Sequence, residues 1–242
     1  MLKIDSKANA HFKRAESLTT SKGLKKEGLF LLSGEKLVRE FLKSPDLDLI
    51  AEIVPPKGKP VSRAKDVFQF ASALFDEVDV LGTGSNILVL KQPKMEAIKD
   101  IDAHKPRGIE AVIPVGDPGN LGALLRSCEA FGVPRVILTQ EAAHPFLPKS
   151  VKASAGSVLR LPILRGPALK EFPDNCIALD AKGEPLKKFK WPQDGMLVVG
   201  EEGQGLGSKP FKRRISIPTE NVESLNAVVA SSIALAHKAG VF

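Results

Sequence analysis

From Gly28 onward, short runs of β-branched and aliphatic residues alternate with segments whose apolar residues recur at helical spacing, and this alternation restricts the fold more than any other feature. Alternating strands and helices bury a sheet beneath helices, so the chain reads as an α/β protein. Before the alternation, Ala8, Phe12, Ala15 and Leu18 predict an amphipathic helix with its basic residues facing outward. Strands are then expected over 28–34, 49–54 and 86–90, and helices over 35–43 and 64–74. A second series begins at Ile109, with strands expected over 109–115, 135–138, 176–179, 196–199 and 215–217 and helices over 120–131 and 224–237. The polar stretch from Lys91-Gln92-Pro93 to Pro106-Arg107-Gly108 separates the two series. It predicts a domain over 1–92, a linker over 93–106 and a second domain over 107–242.

A chain of 242 residues, 43% of them apolar, can supply both domains with cores. The net charge of +7 is concentrated at the front, where Lys3, Lys7, Lys13, Arg14, Lys22, Lys25 and Lys26 face only Asp5 and Glu16. Such a set attracts polyanions, RNA above all, by phosphate neutralisation; a solvated helix face has the same composition. The first residues lack the apolar core of a signal peptide and no window approaches a membrane span, so a cytoplasmic protein is expected. Cys128 and Cys176 have neither paired spacing nor a nearby His and read as reduced, structural residues. The four His residues are scattered, and no metal site is expected.

Three constellations could carry chemistry. The first is Asp117-Pro118-Gly119-Asn120-Leu121-Gly122, continuing to Arg126 and closing with Phe131-Gly132. A helix start is an anion site, and arginine offers a planar fork of donors; alone, the same residues read as an ordinary strand, turn and helix. The second is Val199-Gly200-Glu201-Glu202-Gly203-Gln204-Gly205-Leu206-Gly207, whose glycines permit close backbone approach to a ligand. It lacks the Gly-Lys-Ser/Thr of a phosphate loop and the following helix of a dinucleotide site, and suits a loop holding adenosine by its backbone. The third joins Ile215-Ser216-Ile217-Pro218 to Glu223-Ser224-Leu225-Asn226, where Ser224, taken alone, reads simply as a helix cap with Asn226 assisting the first turn.

Taken in this order and spacing, with Pro148-Lys149 and Ser154-Ala155-Gly156 between the first and second, these residues resemble the three motifs of the SpoU (TrmH-like) family of SPOUT RNA 2′-O-ribose methyltransferases. The resemblance covers about 107–242. It implies a C-terminal knotted SPOUT (α/β-knot) domain with a parallel sheet, an exception to unknotted connectivity, and a homodimer whose site draws on both subunits. S-adenosylmethionine would be held by backbone groups at Leu179, Gly200, Ile217 and Leu225. Arg126 would face the reacting ribose, supported by Asn120, Glu202, Ser224 and Asn226. The run from Phe30 to Glu40 resembles the start of a small ribosomal-protein-like RNA-binding domain, in which Lys13, Arg14, Lys25 and Lys26 would meet RNA, rRNA rather than tRNA. Two departures stand out: the turn Leu81-Gly82-Thr83-Gly84-Ser85-Asn86 replaces a Thr-Pro-Gln-Gly-like turn, and Glu201 occupies a position where relatives more often carry Asn, Ser or Ala. The rival readings are a non-catalytic RNA binder on a decayed methyltransferase fold, against which the intact polar set argues, and a nucleotide-binding enzyme, against which the failed phosphate-loop spacing argues.

Overall fold

The structure, a computed structural model, describes residues 1–43, 48–200, 206 and 209–242. The chain divides into two compact units, Met1–Pro93 with His144–Gly156, and Lys94–Ala143 with Ser157–Phe242.

The first unit contains β1 (Leu2–Ile4), α1 (Ala10–Ser17), α2 (Ser21–Glu27), β2 (Leu29–Leu32), α3 (Glu35–Phe41), β3 (Leu49–Val54), β4 (Asp66–Phe70), α4 (Ser72–Val78) and β5 (Ile87–Lys91). Among the described residues its sheet has the order β1-β4-β3-β5-β2. β1, β4 and β3 run parallel, while β5 pairs antiparallel with both β3 and β2. The N-terminal helix breaks in two: Thr20 caps α2 by accepting a hydrogen bond from Gly23 N at 3.1 Å, and Gly28, at φ 64, turns the chain left-handed into β2. β2 is buried along its whole length. Phe30 meets Phe146 at 5.0 Å between ring centroids, which draws residues 144–156 of the later sequence into this unit.

The helix expected over 64–74 is instead strand β4 followed by α4. β4 hydrogen-bonds on both sides, to β1 and β3, and its Val67, Phe68 and Phe70 favour the pleated conformation. Tertiary pairing overrides the helical reading. β1, three residues long, carries too little pattern to be seen in the sequence.

The second unit contains β6 (Glu96–Ala97), β7 (Ile109–Ile113), α5 (Pro118–Ala130), β8 (Val136–Leu138), α7 (Ser157–Arg160), β9 (Ile163–Arg165), β10 (Ile177–Pro185), β11 (Gly195–Val198), β12 (Arg213–Ser216) and α8 (Ala227–Lys238); α6 (Pro148–Ala153) belongs to the first. Among the described residues the sheet order is β12-β10-β11-β7-β8-β9-β6, and every pairing is parallel. Val112, Ile137, Ala178, Met196 and Val198 join one core cluster with Phe172, Leu206 and Phe211. Alternation leaves Ala111, Ile113, Leu197 and Val199 for the opposite face. α5 and α8 pack together, joined by a 2.7 Å hydrogen bond between the Ser127 and Ser232 hydroxyls.

The stretch read as a linker is partly structured within this unit. β6 adds to β9, Ile98 N donates to Arg165 O at 2.8 Å, and Ile101 is buried in the core cluster. His104 Nε2 lies 2.7 Å from the fully buried Glu110 carboxylate, which also accepts from Arg107 N at 2.9 Å and Arg135 Nε at 2.7 Å. Glu110 is the second residue of β7, so this polar cluster lies at the opposite end of the strands from the motif loops and serves structure.

Candidate active site

In a parallel sheet all strands deliver their following loops to one edge, where α/β proteins place their ligands. β12, β10, β11 and β7 are consecutive neighbours. The segments that follow β7, β11 and β12 carry the three motifs, and β10 brings Leu179 beside them, so topology gathers residues more than a hundred positions apart along one edge.

After β7, Asp117 caps α5, its Oδ1 accepting Asn120 N at 2.8 Å, and Pro118 occupies the first turn, where its missing N–H costs nothing. Asn120 is half-buried, Gly122 is buried within the helix, and Arg126 is exposed. Helical Cα–Cβ bonds tilt toward the N-terminus, so Arg126 leans toward the loop edge rather than away from it.

β11 stays bonded to its end: Val199 N donates to Val112 O at 3.0 Å. Gly200 follows, half-buried. A Cβ placed on it would meet Leu179 O at 3.6 Å, an ordinary contact, which puts the end of β11 beside Leu179 of β10. Glu202 and Glu201 lie outside the described residues. Leu206 is buried in the core cluster.

After β12, Ile217 and Leu225 are half-buried and Ser224 is exposed. The helix expected from Ser224 begins at Ala227, because the cap is Asn226: its Oδ1 accepts Val228 N at 2.8 Å and Val229 N at 3.4 Å. The Ser224 reading as a cap is corrected accordingly. Asn120 and Asn226 therefore both stand at helix starts on this edge.

Two residues missed in the sequence organise the same edge. Asp180, directly after Leu179, pairs with Arg214 Nη1 at 2.8 Å, and Arg214 also donates to the carbonyls of Phe211 at 3.2 Å and Lys209 at 3.3 Å. One guanidinium thus ties β10, just past Leu179, to the segment 209–211. β10 bulges between Leu179 and Glu184. Within the bulge a Cβ on Gly183 would lie 2.5 Å from backbone atoms of Arg214 and Ile215, so only glycine fits. No spacing rule links position 180 to 214; the pairing of β10 with β12 does.

Burial alone pushes the Cys128 thiol up to about 12, and burial chiefly pushes Cys176 up to about 11. Both stay protonated at neutral pH and neither is a nucleophile. Among the described residues no group of three or more His, Cys, Asp and Glu side chains could hold a metal ion, and no helix is long and apolar enough to cross a membrane.

The N-terminal cations are unequally available. Lys13 and Lys25 are exposed, whereas Arg14 pairs with Glu27 at 2.9 Å and Lys26 lies 4.0 Å from the same carboxylate.

Residues 111–236 match the SpoU rRNA Methylase family. The chain is 38% identical over 96% of its length to the ribosomal RNA small subunit methyltransferase G 2 of Syntrophobacter fumaroxidans, but spans only 48% of that protein. It is 28% identical over 99% of its length to the 23S rRNA (guanosine(2553)-2′-O)-methyltransferase RlmP of Bacillus subtilis, whose full length it covers. Among solved structures, the SpoU methyltransferase AviRb of Streptomyces viridochromogenes in complex with AdoMet superposes with a TM-score of 0.79 at 21% identity, covering 96% of this chain and 98% of that one. The AdoMet-bound rRNA methyltransferase of Sinorhizobium meliloti gives a TM-score of 0.75 at 23% identity over 97% and 95% of the two chains.

Proposed function

The chain belongs to the SpoU rRNA Methylase family, and on that premise we propose that it methylates the 2′-hydroxyl of a ribose in structured RNA, rRNA rather than tRNA, using S-adenosylmethionine. The observation that carries this reading is the convergence of the segments after β7, β11 and β12 with Leu179 of β10 on one edge of a parallel sheet. The 2′-O-methyltransferase activity named for the Bacillus relative and the AdoMet bound in two related folds support it.

The edge suits such a cofactor. Gly200 has no side chain to cover the strand end and stands beside Leu179 O, while Ile217 and Leu225 follow β12 outside any strand or helix, so their backbone groups lie beyond the ladder. These four residues would hold S-adenosylmethionine, which when bound supplies an activated methyl group. The chain's own part is to place the ribose oxygen and manage its charge. The guanidinium of Arg126 offers only donors and has no lone pair with which to accept a proton. It therefore does not take the hydroxyl proton; it binds the neighbouring phosphate and stabilises negative charge on the 2′-oxygen as that proton leaves to a base. Asn120, Glu202, Ser224 and Asn226 orient the nucleotide.

Residues 1–92, through Lys13, Arg14, Lys25 and Lys26, supply RNA affinity, and residues 107–242 supply the catalytic site, joined by 93–106. The enzyme works in the cytoplasm as a homodimer, which sedimentation at micromolar concentration would test. Arg126→Ala should retain S-adenosylmethionine affinity within a few-fold by calorimetry, without added metal, while losing methyl transfer to rRNA. Arg126→Lys should also be poor, because an ammonium lacks the planar fork. Wild-type single-turnover rates in both variants would remove Arg126 from the mechanism.

A further inference from the structure

Glu52, in β3, is fully buried, yet its partners are all neutral. Its Oε1 accepts Val61 N at 2.8 Å and Asn86 Nδ2, and its Oε2 accepts Ser62 N at 3.0 Å and Ser62 Oγ at 2.6 Å. A buried carboxylate needs hydrogen-bond donors, and four of them satisfy this one without a cation. The donors come largely from the loop between β3 and β4, residues 55–65, which folds down over the carboxylate. Further bonds fix the same loop: Gly58 N to Pro55 O at 2.9 Å, Gln69 Nε2 to Pro56 O at 3.0 Å, Asn86 Nδ2 to Lys59 O at 2.8 Å and Ala64 N to Ser62 Oγ at 3.2 Å.

This loop carries Lys57, Lys59, Arg63 and Lys65, all exposed, and among the described residues none of the four forms an ion pair. Arg14 and Lys7, by contrast, are held by Glu27 and Glu77. The one exposed carboxylate adjoining the loop in sequence is Asp66. We propose, on the premise that the chain modifies RNA, that residues 55–65 form a phosphate-contacting surface of the first unit, binding the RNA backbone through Lys57, Lys59, Arg63 and Lys65. Because the backbone is already fixed, binding orders side chains and not the loop. Within the loop Val61 is the only large exposed hydrophobic residue. A protein interface needs an apolar centre, whereas RNA needs cations of one sign along a fixed path.

The test uses the full chain and protein-free bulk rRNA, with filter binding from 50 to 200 mM KCl. Each lost phosphate contact reduces the salt slope by roughly 0.7–0.9, so K57A/K59A/R63A/K65A should flatten it by roughly 3. A charge-matched variant, K43A/K94A/K99A/K170A, should leave it within about 1 of wild type. S-adenosylmethionine affinity should be unchanged in both, which separates loss of this surface from failure of the methyltransferase reading. An unaltered slope in the loop variant, or equal flattening in the two variants, overturns the proposal. So does binding of polyglutamate that the loop variant loses while its rRNA slope stays intact, which would make the partner an acidic protein. If the wild-type chain binds neither rRNA nor S-adenosylmethionine, the underlying reading fails and the surface assignment with it.

Discussion

Asn226 is asked to do two things, and substitution can separate them. Its carboxamide oxygen accepts the Val228 and Val229 amides at 2.8 and 3.4 Å and so caps α8, while the methyltransferase reading gives the same side chain a part in orienting the nucleotide. Removing a cap costs about 0.5–2 kcal/mol. The second bond is long, so Asn226→Ala should cost about 1 kcal/mol, which lowers Tm by roughly 2–4 °C in a chain of this size. Asn226→Ser and Asn226→Asp keep an oxygen that can cap about equally well, but they lose the carboxamide donors. Both should melt within about 1 °C of wild type. If the donors touch the nucleotide, their loss costs about 1.4 kcal/mol, or roughly tenfold in the single-turnover rate of methyl transfer to rRNA. Calorimetric melting and single-turnover transfer, measured on the same preparations, decide the matter. Asn226→Ser that transfers methyl at the wild-type rate would leave the residue as a helix cap alone, and Asn226→Ala that melts with wild type would refute the cap.

Gly200→Val should leave Tm nearly unchanged, because the first added carbon meets Leu179 O at an ordinary 3.6 Å, yet weaken S-adenosylmethionine binding at least roughly tenfold, about 1.4 kcal/mol, by covering the strand end; equal affinity by calorimetry would displace the cofactor from this edge. Gly183→Ala forces a carbon to within 2.5 Å of the Arg214 and Ile215 backbone, so urea unfolding should show a loss of about 1–3 kcal/mol or more; wild-type stability would mean the bulge is freely deformable. Arg160's hydrogen bond is the main cause holding the Glu129 carboxyl below its ordinary value, opposed by burial and aided by Ser157. A depressed folded pKa means the stabilisation is present above the unfolded value, near 4.5, and is lost as pH falls through the folded one. The Tm gap between wild type and Glu129→Gln should accordingly be open at neutral pH and close in acid; a gap independent of pH would refute the ion pair's contribution.

The second unit was more legible in the sequence than the first because its strands are buried on both faces. Ile109–Ile113 and Val136–Leu138 are uniformly buried, so each appears as a predominantly apolar run, interrupted in the first only by Glu110. β4 has the burial pattern of a half-covered strand, with only Phe70 buried, and its apolar residues also satisfy a helical period. The pairing of β4 with β1 and β3 decides between the two, and pairing is a long-range property. The same limit hid the placement of 144–156: Pro148 marks a helix start correctly, but which unit Phe146 packs into depends on Phe30, more than a hundred residues away.

The residues proposed to act on the ligand were visible because backbone chemistry constrains their neighbours. Pro118 and Gly119 mark a strand-to-helix turn wherever they occur, and Gly200 marks a strand end that a ligand can approach. Asp180 and Arg214 gave no such sign, since neither holds a special backbone angle and their tie forms only because β10 and β12 lie side by side. Glu52 shows the converse. A glutamate in the apolar run Leu49–Val54 looks like an outward-facing strand residue, but it is buried, and the following loop supplies most of its donors. The sequence cue lies in what surrounds it: Pro55, Pro56 and Pro60 stiffen a basic loop that would otherwise have no reason to be rigid. Where a chain fixes the backbone beneath exposed like charges, repulsion among those charges opposes the fold, and a polyanion that neutralises them stabilises it.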